Sequence, residues 1–213
     1  MDDLNTAADF DHWADNYDAD VGDETGFPFA GYEAVLARVL QWTAAAPGMD
    51  VLELGPGTGN LTARLAASGA AVWALDFSAE MLARARAKAP AATFAQAHLL
   101  GDYPPEFHRR YNRVVATYVF HEFPDEAKLA LLRRLAAEYL QPGGLVVIGD
   151  IGFPDAAARE RGRAAAGAAW DEEHYWVMDA IGPRLRGGGW SFAYDQVSAF
   201  GLALRLLPGG ADL

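Results

Sequence analysis

The sequence contains no cysteine among its 213 residues. Disulfide bonds and thiolate metal sites are therefore excluded. It also contains no uncharged apolar run approaching the roughly 18 residues that a membrane-spanning helix needs. The first twenty residues are acidic and lack the basic and apolar regions of a secretory signal. Together these absences predict a cytoplasmic protein with no membrane partner.

Basic residues are scarce. Lysine and arginine number 17 against 29 aspartates and glutamates, which gives a formal net charge of −12. Such a charge repels phosphate backbones and anionic membrane surfaces, so neither nucleic acid nor a membrane is an expected partner. The apolar fraction of 52% and the charged fraction of 22% are typical of a globular protein. The length suits a single domain.

Two common catalytic patterns are also missing. No G-x-S-x-G segment is present, which excludes the nucleophile elbow of many hydrolases. The pair His121-Glu122 has no second histidine four residues on, so the zinc-protease motif is absent. His12, His108 and His174 are scattered without ligand spacing. The sequence therefore predicts no metal site.

Strand and helix patterns alternate through the middle of the chain. This alternation predicts an α/β fold with a doubly wound, mostly parallel sheet. The final segment reads as two strands paired in an antiparallel hairpin at the sheet edge, after a helical stretch. The predicted strands are 51–55, 71–76, 92–97, 112–120 and 145–151, and the predicted helices are 32–45, 58–68 with Thr58 as N-cap, 78–89 with Ser78 as N-cap, 124–139 and 155–186.

The N-terminal segment carries aromatic residues at helical spacing. Phe10, Trp13 and Tyr17 fall at i, i+3 and i+7 and would share one face of a helix. We expect residues 1–46 to form a helical cap and residues 47–213 to form the core, within a single domain overall.

The segment VLELGPGTGN, residues 51–60, combines a strand with a glycine loop. Its G-P-G-T-G spacing is one residue shorter than the dinucleotide fingerprint G-x-G-x-x-G. Glu53 precedes the loop, and its carboxylate would repel a pyrophosphate but suit an ammonium or sulfonium group. Asp76 ends the next strand, where an acid could accept hydrogen bonds from both hydroxyls of a ribose. Glycines that only make a tight turn are the alternative, but a turn needs neither acid.

Several segments in order resemble the class I S-adenosylmethionine-dependent methyltransferases. VLELGPGTGNLTARL resembles the first motif of this family and VWALDFSAEMLARAR the second, while the stretch from TYVFHEF to LVVIGD resembles its fourth strand, following helix and fifth strand. The resemblance covers roughly residues 10–151. FDHWADNYD resembles the branch that includes quinone-biosynthesis-type and uncharacterised bacterial methyltransferases. A Rossmann-like fold with an antiparallel last strand and S-adenosyl-L-methionine as cofactor are implied.

The resemblance also implies roles for individual residues. Glu53 would contact the amino group of the cofactor, directly or through water, and Asp76 the ribose hydroxyls. His98 stands where the family often has an acid that binds the adenine amino group, and Asp102 arrives a few residues later, so either could make that contact. The remaining implied cofactor contacts are the loop residues Gly55, Pro56, Gly57, Thr58, Gly59 and Asn60, the adenine neighbours Phe77 and Met81, Thr117 at the sulfonium side, and Tyr17 closing over the cofactor.

Methyl transfer from a sulfonium is an in-line displacement for which the protein aligns the reactants and excludes water. His121, just beyond the fourth strand, is a candidate general base or substrate contact, although it could equally have a structural use there. Tyr118 and Asp150 are the other candidate catalytic residues at this rim. We expect a small-molecule methyl acceptor and a monomer or homodimer. The alternatives are a non-catalytic binder of S-adenosylmethionine or S-adenosylhomocysteine and, less favoured, an NAD-dependent oxidoreductase.

Overall fold

The computed structural model describes residues 7–209. The helices are α1 (Ala7–Trp13), α2 (Tyr17–Gly22), α3 (Tyr32–Thr43), α4 (Asn60–Ala67), α5 (Ala79–Lys88), α6 (Asp125–Arg134), α7 (Ala156–Ala166) and α8 (Met178–Gly187). The strands are β1 (Asp50–Leu54), β2 (Ala71–Asp76), β3 (Thr93–Gln96), β4 (Tyr111–Thr117), β5 (Leu140–Phe153), β6 (Trp176–Val177), β7 (Trp190–Gln196) and β8 (Gly201–Pro208).

The strands form a sheet in the order β3-β2-β1-β4-β5-β8-β7, and β6 pairs with the end of β5. Strands β1 to β5 run parallel to one another. Strand β8 runs antiparallel to β5 and pairs with β7 in a hairpin at the edge. The strand order reverses between β1 and β4, which is where open α/β sheets bind ligands. The predicted Rossmann-like fold with an antiparallel last strand is confirmed.

Alternate residues of the central strands pack against two helical layers. On β4, Val115 belongs to a buried cluster with α3 and α4, whereas its neighbour Val114 belongs to a second cluster with α6 and α8. Because successive strand residues point to opposite faces, a strand covered on both sides needs an almost continuous apolar sequence. This requirement explains the run of apolar residues that identified β4 in the sequence.

Capping residues predict the starts of α4 and α5, and the structure confirms one of these predictions and not the other. The Ser78 hydroxyl accepts a hydrogen bond from the Met81 backbone N–H at 3.1 Å, so the N-cap of α5 is confirmed. The N-cap of α4 is Gly59, which has a left-handed φ of 90°, and the prediction of Thr58 was wrong. The turn continues past Thr58 because Gly59 can adopt this conformation without strain.

Two other predicted elements differ from the structure. The fourth strand ends at Thr117 rather than at residue 120, since Tyr118 has a left-handed φ of 53° that turns the chain out of the sheet. A continuous helix over 155–186 was also predicted, whereas α7 and α8 are separated by a short 3-10 turn, an irregular segment and β6. Gly167, at a φ of 58°, ends α7.

The helices of the predicted cap do not all lie in one layer. Helix α1 packs against α5, whereas α3 packs against β5 and β8. Val35, Leu36 and Val39 of α3 are wholly buried on the sheet. The division at residue 46 stays a prediction. In the part of the chain that the structure describes, no helix is both long and apolar enough to cross a membrane.

Arg134, at the end of α6, holds the loop that follows β3. Its guanidinium donates hydrogen bonds to the backbone carbonyls of Leu99 at 2.6 Å and Gly101 at 2.7 Å. It also lies 4.4 Å from the ring centroid of Tyr103. Because hydrogen bonds from a charged donor are stronger than neutral ones, this side chain fixes a loop that has little secondary structure of its own.

We expect Arg134→Met to destabilise the fold by about 1–3 kcal/mol, because two carbonyls and a ring lose a charged partner. Urea unfolding monitored by circular dichroism measures the change. The matched control is Arg133→Met, which removes the same charge from an exposed neighbouring position on the same helix. Equal midpoints for the two variants would contradict the role assigned to Arg134.

Candidate active site

A cavity of about 470 Å³ opens at the carboxyl ends of β1, β2 and β4. The cap closes it from one side with Phe10, Trp13 and Tyr17, and Phe27 and Phe29 complete this aromatic wall. Of the residues predicted for the site, those that line the cavity are Tyr17, Gly55, Gly57, Asp76, Phe77, Met81, His98, Thr117, Tyr118 and His121. Those that do not are Glu53, Pro56, Thr58, Gly59, Asn60, Asp102 and Asp150.

Different contacts require glycine at two positions of the loop. A Cβ atom on Gly55 would lie 2.3 Å from a methyl carbon of Val119, so the backbone there must pass close to the loop after β4. A Cβ atom on Gly59 would lie 2.8 Å from the Cα atom of Ala85 on α5. Gly55 therefore shapes the cavity wall, while Gly59 allows α4 and α5 to pack closely and faces away from the cavity.

Thr58 and Asn60 serve the cap rather than the cavity. The Thr58 hydroxyl donates to Asp18 at 2.6 Å, and the Asn60 amide donates to the same carboxylate at 3.2 Å. The Lys88 ammonium bonds this carboxylate at 2.6 Å and also donates to Thr58 at 2.9 Å and Asn60 at 2.7 Å. We name Asp18, Thr58, Asn60 and Lys88 the cap latch, because they tie α2 to the glycine loop and α5.

The cap latch was missed in the sequence, although a signal was present. Asp11, Asp15 and Asp18 recur at helical spacing, and the structure pairs each of them with the α5 region. Asp11 accepts from the Ser78 hydroxyl and from the backbone of Glu80, and Asp15 bonds Arg84. The acidic N-terminal segment is therefore a docking face for the cap.

Glu53 is wholly buried at the end of β1. Neither of its carboxyl oxygens has a hydrogen-bond partner among the residues that the structure describes. Burial raises its pKa to about 8, the nearby Thr62 hydroxyl lowers the pKa in part without reaching hydrogen-bond geometry, and Asp76 raises it further. A proton is therefore favoured on this carboxyl at neutral pH, where no described residue pairs with it.

Asp76 is held at the cavity wall by the backbone. Its two oxygens accept from the N–H groups of Ser78 at 2.9 Å and Gly57 at 3.2 Å. Burial raises its pKa to about 6, and these hydrogen bonds offset part of the rise. The side chain is thus ionised or nearly so at neutral pH, and it lines the cavity as an acceptor of hydrogen bonds.

His98 and Asp102, the two alternative adenine contacts, lie in different places relative to the cavity. His98 lines the cavity, and its ring lies 6.2 Å from Phe77 and 6.4 Å from Phe123 between centroids. Asp102 is exposed and lies outside the lining. Of the two residues that sequence could not separate, only His98 is positioned to face a bound molecule.

The predicted catalytic residues occupy three different positions. Asp150 is wholly buried and does not reach the cavity, because its oxygens are taken by the His121 ring at 2.6 Å and by Trp176 and backbone N–H groups. The substrate contact expected of Asp150 is therefore not seen. Tyr118 lines the cavity with its ring, but its hydroxyl is buried near Gly201 and burial raises its pKa. Of these three residues, His121 is the one that lines the cavity and is hydrogen-bonded to a buried carboxylate behind it.

Acids surround His121. Burial lowers its pKa, but attraction to Asp150, the hydrogen bond between them, and then Glu173 and Glu122 raise it to about 9. Burial raises the pKa of Glu173 to about 7, although His121 opposes this. A protonated His121 cannot accept a proton. It could act as a general base only after losing this proton, for example when a bound cation or substrate favours the neutral imidazole. Glu173 lies in the irregular segment before β6, and no sequence pattern singled it out.

The sequence is similar to those of proteins described as methyltransferases. A family model described as a methyltransferase domain matches residues 51–144. An uncharacterized methyltransferase of Geobacillus kaustophilus (strain HTA426) is 32% identical over 208 residues, which cover 90% of this chain and 91% of that protein. The uncharacterized methyltransferase YrrT of Bacillus subtilis (strain 168) is 30% identical over 203 residues, covering 90% of this chain and 92% of that protein.

Solved structures have the same architecture. The DhpI–SAH complex superposes with a TM-score of 0.73 and 25% identity, covering 96% of each chain. The chain belongs to the class I S-adenosylmethionine-dependent methyltransferases. Magnesium protoporphyrin IX methyltransferase from Synechocystis PCC 6803 with bound SAH, at a TM-score of 0.68, 20% identity and 84% coverage of each chain, shares the fold alone.

The site of this methyltransferase fits its cofactor, S-adenosylmethionine. The buried carboxyl of Glu53 has no hydrogen-bond partner among the described residues, and this suits a ligand with an ammonium group. A side chain on Gly55 would collide with Val119, so the cavity wall is formed there by the bare backbone of Gly55. The carboxylate of Asp76 faces the cavity with its orientation fixed by backbone hydrogen bonds.

The two buried acids of the methyltransferase make its stability depend on pH. Each binds its proton more tightly in the folded chain than in the unfolded chain, where ordinary values near 4 apply. Their contribution to the free energy of unfolding is therefore full below pH 4 and is lost as the pH rises through about 6 for Asp76 and about 8 for Glu53.

We expect Glu53→Gln to remove the larger part of this dependence. Without ligand, the variant should exceed the wild type in free energy of unfolding by a few kcal/mol at pH 8.5 and differ little at pH 5. Urea midpoints at the two pH values test this expectation. A difference between variant and wild type that stays the same at both pH values would show that burial of the carboxyl is not its cause.

Lys88→Met should weaken S-adenosylhomocysteine binding about threefold to tenfold, because the cap latch loses the cation that joins Asp18 to the glycine loop. The effect is modest since the pair is partly exposed. Isothermal titration calorimetry measures the affinity. Arg86→Met is the control, because it removes the same charge from α5 at a position that contacts Phe94 and not the cap.

Proposed function

We propose that the protein transfers the methyl group of S-adenosylmethionine to a small-molecule acceptor by in-line displacement. One observation carries the proposal. A single cavity connects the cofactor-binding rim at Gly55 and Asp76 with a polar wall at His121 and Glu173, and aromatic residues close it. Its volume of about 470 Å³ is within the range of small-molecule sites, roughly 300–1,000 Å³.

The cofactor supplies an electrophilic methyl group on a sulfonium. We infer that Glu53 pairs with its ammonium group and that Asp76 accepts hydrogen bonds from its ribose. Phe77, Met81 and His98 flank the adenine. Pairing with an ammonium would ionise Glu53 and release its proton, so cofactor binding at neutral pH should be coupled to proton release.

The acceptor occupies the remaining part of the cavity in this proposal. Its wall there is formed by Tyr118, His121 and Glu173 together with the aromatic side chains of the cap. Since water competes as a nucleophile and weakens electrostatic contacts, the aromatic wall contributes by excluding it. Thr117, at the end of β4, lies at the junction between the two parts of the cavity.

The remaining expectations belong to the same proposal. A formal net charge of −12 disfavours nucleic-acid acceptors, which supports a small molecule. Membership of the quinone-biosynthesis-type branch and a monomeric or homodimeric state remain predictions from the sequence.

Ligand selectivity tests the cofactor site. S-adenosylmethionine or S-adenosylhomocysteine at about 100 times its dissociation constant should stabilise the wild type by roughly 2.7 kcal/mol, a shift of a few degrees, and NAD should not. Asp76→Asn should weaken binding about tenfold to a hundredfold, because a charged hydrogen-bond acceptor is lost. The control is Asp102→Asn, an exposed acid outside the cavity, which should bind as the wild type does. Stabilisation by NAD alone would refute the proposal.

Turnover tests the reaction. Release of S-adenosylhomocysteine should occur with at least one acceptor from a panel of thiols, phenols, amines and carboxylic acids. A chain that binds the cofactor but methylates none of these compounds would favour the non-catalytic binder that the sequence also allows.

A further inference from the structure

Three potential metal ligands face one another in the cavity wall. The ligand atoms of His121, Glu122 and Glu173 all lie within 4.8 Å of one another. The Nε2 atom of His121 is 3.6 Å from Glu122 Oε1 and 3.8 Å from Glu173 Oε2. Two donor atoms bound to one ion at about 2.1 Å each lie roughly 3–4 Å apart, so these separations suit a shared ion.

The His121 ring is oriented for this role by a buried carboxylate. Its Nδ1 atom hydrogen-bonds Asp150 at 2.6 Å, and the other Asp150 oxygen accepts from the His121 backbone at 3.0 Å and from Trp176 at 3.2 Å. His121 is about nine-tenths buried, and among the described residues its Nε2 atom makes no hydrogen bond within 3.5 Å. A carboxylate behind a histidine whose second nitrogen faces inward is the usual support of a metal-bound imidazole.

The segment that carries Glu173 is fixed against His121. The backbone N–H of His174 donates to the carbonyl of His121 at 3.0 Å, and the Lys128 ammonium donates to the carbonyl of His174. Lys128 is wholly buried over the Trp176 ring, and its ion pair within residues 7–209 is with Asp125. The ligands therefore face one another without any rearrangement of the backbone.

The charges of the cluster favour a cation. The carboxylates of Glu122, Glu173 and Asp150 surround a single imidazole. A divalent cation held at Nε2 of His121 would be attracted by these nearby carboxylates. One imidazole nitrogen and two carboxylate oxygens form a donor set that suits Mn²⁺ or Zn²⁺ better than a soft metal.

We propose that His121, Glu122 and Glu173 bind one divalent transition-metal ion. Three protein ligands leave coordination positions open toward the cavity, as in metal sites that also bind a substrate. The sequence predicted no metal site, because Glu173 lies some fifty residues after His121 and Glu122 and no spacing pattern joins them. Binding of the ion does not depend on the proposed methyl transfer, whereas a contact between the ion and the acceptor rests on that proposed function.

Metal titration without cofactor tests the proposal. Chelator-treated wild-type protein should bind one Mn²⁺ per chain, measured by electron paramagnetic resonance of the free ion, and Zn²⁺ should compete for the same site. Glu173→Gln and Glu122→Gln should each lower the Mn²⁺ affinity at least tenfold, and Asp150→Asn about tenfold to a hundredfold. Glu172→Gln is the matched control, since this exposed neighbour bonds Arg159 and Trp170 outside the cluster and should bind Mn²⁺ as the wild type does.

Circular dichroism checks that each variant folds. If one glutamine variant fails to fold, the other still tests the proposal. Wild-type protein that binds neither Mn²⁺ nor Zn²⁺ would overturn the proposal, as would equal affinities in the wild type and both glutamine variants. Stabilisation by a small alkylammonium ion with no metal binding would also overturn it and would assign the cluster to a cationic acceptor. Because these measurements use no S-adenosylmethionine, a negative result for metal binding would leave the proposed methyl transfer untouched.

Discussion

The buried carboxyl of Glu53 is the constraint on which the cofactor site depends. A strand that ends in an acid normally exposes it or pairs it, yet this one is wholly buried without a hydrogen bond from residues 7–209. The group costs stability in the free protein, since an unpaired buried acid must keep its proton. In the proposed function, that cost is recovered when the ammonium group of S-adenosylmethionine pairs with the carboxyl.

The acidic character of the chain has a local structural use. Asp11, Asp15 and Asp18 on the cap face the start of α5 and its basic side chains, so part of the net negative charge is neutralised within the molecule. The cap latch then joins the cap to the residues just beside the glycine loop. Because these contacts are partly exposed, each contributes little, but together they determine how the aromatic wall of the cap closes the cavity.

The other end of the cavity is organised by the bond between His121 and Asp150. It joins the turn after β4 to the end of β5, and Trp176 brings the segment before α8 to the same carboxylate. Asp150 therefore contacts His121 and does not line the cavity. With Nδ1 bonded to Asp150, the Nε2 atom of His121 lies toward Glu122 and Glu173, and acidic groups gather where the acceptor is proposed to bind.

Local patterns in the sequence determined the fold class, most element positions and the residues around the glycine loop, because strand alternation, capping and loop spacing depend on near neighbours. Asp76 was found this way, whereas Phe77, Met81, His98 and Thr117 came from the resemblance to the methyltransferase motifs; all five line the cavity. Only the tertiary structure decided that Thr58 serves the cap, that Asp150 lies behind His121, and that Glu173 faces it. These contacts join segments that are distant in the chain. They depend on how the loops cross the edge of the sheet, and no local sequence pattern predicts that path.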